Sequence, residues 1–205
     1  FVDNSIDITK ILDINPVDAW LFKFGIDYKK ISDLEKFSQL KTAHFELTKG
    51  LKQKIQESKQ RGKLLLFHPY SANINKSIPQ NFAIEILKNL IDKLDDYTIV
   101  STLLIDSKIK ADNFLDLSSY SKSIEDFIYI VSSCDKLITA YTLALHIADC
   151  FMIPTVCIAT FKEYEEQLKY YKCTKTIFVK DSSKNLSKFI YENDSLTINT
   201  FEEWK

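Results

Sequence analysis

The stretch Lys63-Leu64-Leu65-Leu66-Phe67-His68, stopped by Pro69, carries its apolar residues without a break. A strand with one wet face alternates apolar with polar residues, so an unbroken run this short reads as a strand buried on both faces, as in a parallel sheet. A regular alternation follows it. Residues 80 to 94 set Phe82, Ala83, Ile86, Leu87, Leu90 and Leu94 on one helical face, with Lys88, Asp92 and Lys93 on the other. Tyr97 to Leu104 is the next strand. Ser123, with Asp126 three positions on, predicts a capping box that opens a helix with Phe127, Ile128 and Val131 inward. Lys136 to Ala140 reads as a strand, Thr142 to Phe151 as a helix and Ile153 to Thr160 as a strand. A helix near 162 to 172, a strand from Thr176 to Lys180 and a terminal helix from Ser183 complete the series. Strands alternating with helices of this length predict an α/β fold: a Rossmann-like parallel sheet with helices on both faces.

Upstream, Asn15 and Pro16 open a short helix that Gly25 closes, with Trp20, Phe22 and Phe24 on it. Such an aromatic helix packs on another domain or covers one end of the same core. Residues 42 to 61 read as a long polar helix with Phe45, Leu47, Leu51 and Ile55 inward, stopped by Gly62. His44 on that helix is expected to be inert. Residues 1–62 are thus linker and flanking helices, and 63–205 the Rossmann-like domain.

Composition narrows the function classes. Of 205 residues, 45% are hydrophobic and 27% charged, which fits a globular chain and not a disordered one. The 27 basic residues against 28 acidic ones leave a net charge of −1, so nucleic acid is not an expected partner. Arg61 is the lone arginine, which leaves phosphate recognition to lysine, hydroxyls and backbone N–H groups. The four cysteines form no C-x-x-C pair, predicting a reducing compartment and no zinc. Phe1-Val2-Asp3-Asn4 has neither the basic start nor the apolar core of a signal peptide, and no long apolar run follows, which predicts a cytoplasmic location. A first residue other than Met suggests a piece of a longer protein.

In such sheets ligands bind beyond the carboxyl ends of the strands. The loop from His68 to Pro79 offers Ser71, Ser77, Lys76 and the N–H groups of a helix start, the parts of an anion site; alternatively Ser77 simply caps its helix. After the strand ending at Ala140, Thr142 is placed to cap a helix, and His146 either donates to a ligand oxygen or sits in the core. Asp106 lies where an acidic residue reaches a ribose hydroxyl, or is a solvated loop carboxylate. Asp126, Glu163, Glu165 and Glu166 read as caps and helix faces, without the ligand spacing of a Mg²⁺ or Ca²⁺ site. No nucleophile, base and acid triad can be assembled.

Together these loops resemble the donor-binding half of the glycosyltransferase family 9 enzymes, the lipopolysaccharide heptosyltransferases of GT-B architecture. The family pattern His-Pro-Gly-Ala-Ser, a spacer, then Lys-Arg-Trp-Pro corresponds to His68-Pro69-Tyr70-Ser71-Ala72 and Lys76-Ser77-Ile78-Pro79. Its Asp-Thr-Gly-Pro-Met-His-Leu-Ala and Gly-x-Pro-x-Val correspond to Tyr141 through Ala148 and to Met152 through Val156. The likeness covers roughly residues 63 to 160. It implies one GT-B half in which Ser71, Ala72, Lys76, Thr142 and Leu143 hold the diphosphate of an ADP- or UDP-linked sugar, with His146 beside it. It further implies metal-independent, inverting transfer without a cofactor, to a bacterial lipopolysaccharide or related glycan or glycolipid acceptor. The base, an aspartate, would lie in an N-terminal domain outside this chain, so no catalytic residue is assigned here and the fragment binds donor without turnover. Peripheral contact with the inner membrane is implied for the full-length protein. Tyr70, Tyr141 and Leu143 depart from the family's Gly, Asp and Gly, the Gly-Gly usual after the second strand is missing around Thr102-Leu103, and the chain holds only three glycines. Glycine lets a loop backbone approach phosphate. Either the donor differs, or the chain is a degenerate, non-catalytic scaffold or interaction module.

Overall fold

A computed structural model of the chain describes residues 14–42, 44–159 and 164–179. The run at 63 is β1 (Lys63–His68), and it lies at the centre of a six-stranded sheet of order β3-β2-β1-β4-β5-β6. The other strands are β2 (Tyr97–Ser101), β3 (Phe114–Asp116), β4 (Lys136–Ala140), β5 (Thr155–Ala159) and β6 (Thr174–Phe178). Every pairing is parallel, with Leu65 opposite both Ile99 and Lys136. The helices are α1 (Pro16–Lys23), α2 (Leu51–Arg61), α3 (Gln80–Lys93), α4 (Ile124–Ser133), α5 (Leu143–Cys150) and the single turn α6 (Tyr164–Gln167).

The strand period of two divides the core between the two faces of the sheet. Leu64 and Leu66 join Val100 and Leu137 beneath Leu51 and Ile55 of α2, Ile130 of α4 and Ile147 of α5. Leu65 and Phe67 point the other way, onto Phe82, Ala83 and Leu87 of α3. An apolar run without alternation therefore feeds two cores, which is why β1 had to be unbroken.

Several boundaries differ from expectation. The helix expected from 42 begins only at Leu51, because Gly50 takes the left-handed conformation (φ 86°) and the chain before it is captured elsewhere. Thr48 donates its backbone N–H to Asp126 Oδ1 (2.7 Å) and its hydroxyl to Oδ2 (2.8 Å), which holds the segment extended. Asp126 also completes the expected capping box with Ser123. Burial alone would raise its carboxyl, but the hydrogen bonds from Thr48, Ser123 and Lys122 bring it below the ordinary value. His44 is exposed on this non-helical stretch.

Pro79, not Ser77, is the N-cap of α3, and no side chain caps that helix. β2 stops at Ser101, whose hydroxyl donates to Leu103 O (2.7 Å) and turns the chain. β3, at three residues, was not anticipated. The helix near 162 to 172 is represented by the short α6, and β6 begins two residues earlier than expected. The terminal helix from Ser183 and Glu163 lie outside the described residues. All four cysteines are free thiols. Among the described residues no helix is long and apolar enough to cross a membrane.

Candidate functional site

The strand order reverses between β1 and β4: from β1 the chain winds through α3 to β2 on one side, and from β4 through α5 to β5 on the other. Loops leaving two neighbouring strands in opposite directions open a crevice at their carboxyl ends, where open α/β sheets bind ligands. Ser71, Ala72 and Lys76 follow β1 and Thr142, Leu143 and His146 follow β4, so these expected residues flank one crevice. Asp106 does not join them. It accepts the Lys108 N–H (2.9 Å) in a local turn and lines a different cleft of about 480 Å³ with Ser107, Lys110, Asp112, Phe114 and Asp116.

On the β1 side, Ser77 Oγ accepts the Ser71 N–H (2.9 Å) and lies 3.1 Å from Ser71 O and 3.2 Å from Asn73 O. Its hydroxyl thus staples the loop from within. Ser71 Oγ accepts the Asn73 N–H at 3.4 Å, and Ala72 is exposed. Lys76, last in a 3₁₀ turn that begins at Ile74, turns toward the β4 loop, where its Nζ lies 5.2 Å from the centroid of the Tyr141 ring. Burial lowers the pKa of this lysine. Tyr70 packs with the α3 core, and its buried hydroxyl finds no partner among the described residues. Burial pushes that phenol up to about 12.

On the β4 side, Thr142 is the N-cap of α5, accepting the Ala144 N–H (3.1 Å) and sharing a hydrogen bond with Thr139 Oγ1 (3.1 Å). The expected cap is present, and the same bonds commit the hydroxyl to the scaffold. Leu143 is 51% exposed at the first turn. The Tyr141 hydroxyl donates to Gln167 Oε1 (2.7 Å), and its ring meets the His146 ring edge-on at 5.6 Å. His146 Nδ1 is hydrogen-bonded to the Tyr171 hydroxyl. Burial, then the Lys76 ammonium, lowers the His146 pKa, favouring neutral imidazole.

Tyr141, Tyr171 and Gln167 therefore build the site as much as the expected residues do. Tyr171 and Gln167 stand 25 and 26 positions beyond the groups they touch, and no local pattern marks them. The cluster of Lys76, Tyr141, His146, Tyr171 and Gln167 contains a cation, two phenols, an imidazole and an amide. It can attract and orient an anion, and the neutral His146 imidazole is its one group with the chemistry of a general base. Among the described residues no group of His, Cys, Asp and Glu is set to hold a metal ion.

No family model matches the chain, and no curated protein matches it in sequence. Solved structures do match it. The crystal structure of a glycosyl transferase family 9 protein from Veillonella parvula is 14% identical, covering 80% of this chain and 49% of that one with a TM-score of 0.54. The ADP-heptose lipopolysaccharide heptosyltransferase II of E. coli is 15% identical, over 65% of this chain and 44% of that one, at a TM-score of 0.49. An E. coli heptosyltransferase solved with ADP is 12% identical, over 61% and 42%, at 0.48. The chain spans about half the length, or less, of the structures it matches. The likeness is one of fold: a parallel α/β unit like part of a family 9 glycosyltransferase, as the loop motifs implied.

Proposed function

We propose that this chain binds a nucleotide-sugar donor in the crevice between β1 and β4, as the C-terminal donor-binding half of a heptosyltransferase-like enzyme acting on lipopolysaccharide or a related surface glycan. The observation that carries the reading is the Lys76 ammonium, drawn across the strand-order reversal to the β4 loop, 5.2 Å from the Tyr141 ring, with His146 in the same cluster. A cation there meets the phosphates of a donor and stabilises the charge that grows on the departing nucleotide as the sugar leaves. His146, kept neutral and hydrogen-bonded through Nδ1 to Tyr171, has its other ring nitrogen to offer a ligand oxygen. The acceptor and the base that activates it belong to another part of a full-length cytoplasmic protein. In this reading residues 63–205 are the donor-binding unit and 1–62 its flank.

Calorimetric titration of the chain with ADP- and UDP-sugars tests the proposal. Binding that weakens at least tenfold in Lys76→Ala is the expected result, a loss of about 1.4 kcal/mol. Absence of heat with every nucleotide at millimolar concentration would overturn it. A second reading, a non-catalytic scaffold, is favoured by Tyr141 beneath Lys76 and by the internal commitment of the Ser77 and Thr142 hydroxyls. It expects no nucleotide binding by the native chain and is excluded if the native chain binds.

A further inference from the structure

Residues 166 to 172 carry two sets of ties that leave in opposite directions. One set reaches the flank before β1. Glu166 O accepts the Asn15 side-chain N–H (2.6 Å), the Tyr170 hydroxyl donates to Asp18 (2.6 Å) and accepts from Lys36 (3.2 Å), and the Lys172 ammonium donates to Leu34 O (2.6 Å). The other set reaches the crevice, where Gln167 accepts the Tyr141 hydroxyl (2.7 Å) and the Tyr171 hydroxyl is hydrogen-bonded to His146 Nδ1. The division is sharpest at two neighbours. Tyr170, 5% exposed, is held in the seat of α1, while Tyr171 packs against the cluster of Leu145, Cys157, Ala159 and Leu168 and meets the His146 ring edge-on at 5.8 Å.

Between α6 and β6 the chain turns without joining a helix or a strand. A segment outside the ladders takes its position from its side-chain ties, and here they come from both sides at once. Tyr170 and Tyr171 share one planar peptide unit, so drawing Tyr170 out of the seat of α1 displaces the Cα that carries Tyr171. The bond at Nδ1 in turn selects the orientation and the tautomer of the His146 ring.

We infer that Tyr171 is a positioning residue for His146, and that the flank from Asn15 to Lys36 sets the crevice through it. With α1 seated, the imidazole is fixed and its Nε2 is left for a ligand. With α1 displaced, Tyr171 withdraws, the ring loses its fixed orientation and nucleotide affinity falls. Coupling of this kind is reciprocal, so a ligand that settles on His146 tightens the seat of α1. The consequence for nucleotide rests on the donor-site reading; the hold on His146 does not.

The test is NMR of the imidazole nitrogens in the whole isotope-labelled chain, well below its Tm, with an ADP titration beside it. The chain has three histidines; His146→Gln assigns the signal, and His68, buried at the end of β1, is the reference. Tyr171→Phe should move the His146 nitrogen shifts from one tautomer toward an average of two and weaken ADP binding about fivefold, the effect of one hydrogen bond. The decisive variant lies outside the crevice. Asn15→Asp with Tyr170→Phe keeps a capping oxygen for α1 and the Asp18–Lys36 pair, and removes the flank's bonds to Glu166 and Tyr170. It should move the same His146 shifts in the same direction, by less, with those of His68 unchanged; if it does not fold, Asn15→Asp alone carries the same expectation. A His146 signal unmoved by Tyr171→Phe overturns the positioning role. Flank variants that lower Tm while His146 stays unmoved, or that move His68 as much, overturn the coupling. A native chain that ignores ADP while His146 answers to the flank removes the donor reading and leaves the coupling standing.

Discussion

Two lysines in this molecule meet a tyrosine and end differently. Lys36 has a carboxylate: its Nζ lies 2.7 Å from Asp18 Oδ1 and 3.2 Å from the Tyr170 hydroxyl, which itself donates to Asp18. Burial opposes its charge, yet the bonds from Asp18 and Tyr170 outweigh that and raise its pKa. Lys76 rests against the Tyr141 ring, and burial lowers its pKa. A closed ion pair is a fastener, here the one that seats α1 on the domain. A cation that burial has made less comfortable gains most from an arriving anion. The contrast marks the first as structure and makes the second the place to test for an anion.

The largest expected effect comes from breaking the fastener. Asp18→Ala leaves the buried Lys36 ammonium without its counter-charge, and stability measured by urea unfolding should fall by about 3 kcal/mol or more. Replacing Asp18 and Lys36 together with Leu and Met should recover much of that loss; if the double variant is as unstable as the single one, the pair is not what seats α1.

His68 sharpens the contrast as a buried base whose charged form has no counter-charge. It sits at the end of β1, its Nδ1 2.9 Å from Thr102 Oγ1 and its ring 5.2 Å from Phe127. Burial pushes its pKa from 6.5 down to about 4. Between those values the unfolded chain binds the proton and the folded chain does not, so stability present above about pH 6.5 is lost as the pH falls toward 4, by roughly 3 kcal/mol. Acid titration of Tm should show this window, and His68→Gln should flatten it. A native chain with level stability from pH 7 to 4 would mean that the ring protonates as readily folded as unfolded.

The smallest effect on folding belongs to the other lysine. Lys76→Met should change stability by less than about 1 kcal/mol, since the methionine keeps most of the apolar stem that packs on the Tyr141 ring. It should raise the His146 pKa, because the ammonium is one of the groups that lower it. An NMR titration of the His146 ring would read that shift in native and variant chains, and a shift in the opposite direction would separate the two side chains electrostatically.

How much of this was legible depended on how local the cause is. β1 declared itself because burial on both faces requires apolar residues at every position, and the Ser123–Asp126 box because both its hydrogen bonds close within one turn. The start of α2 was misread because Asp126, 78 positions away, competes for Thr48, and Gly50 adopts a conformation that a helical pattern does not reveal. Ser77 looked like a cap because it precedes a helix, whereas its hydroxyl closes the loop back on Ser71. In the site, Lys76, Thr142 and His146 could be nominated from their places after strands. That Lys76 would lie on Tyr141, that Thr142 would spend its hydroxyl on Thr139, and that Tyr171 would hold His146 could not.

The order of residues alone determined the α/β alternation, the two-sided burial of the central strand and the loops where chemistry could sit, because periodicity and capping act over a few residues. The tertiary structure decided which loops share the crevice, which hydroxyls remain to face a ligand, and that one lysine closes on a carboxylate while another lies over a tyrosine ring. Those are matters of strand order and of contacts between residues far apart in the chain, and hydrogen bonding and desolvation take their values only once such contacts exist.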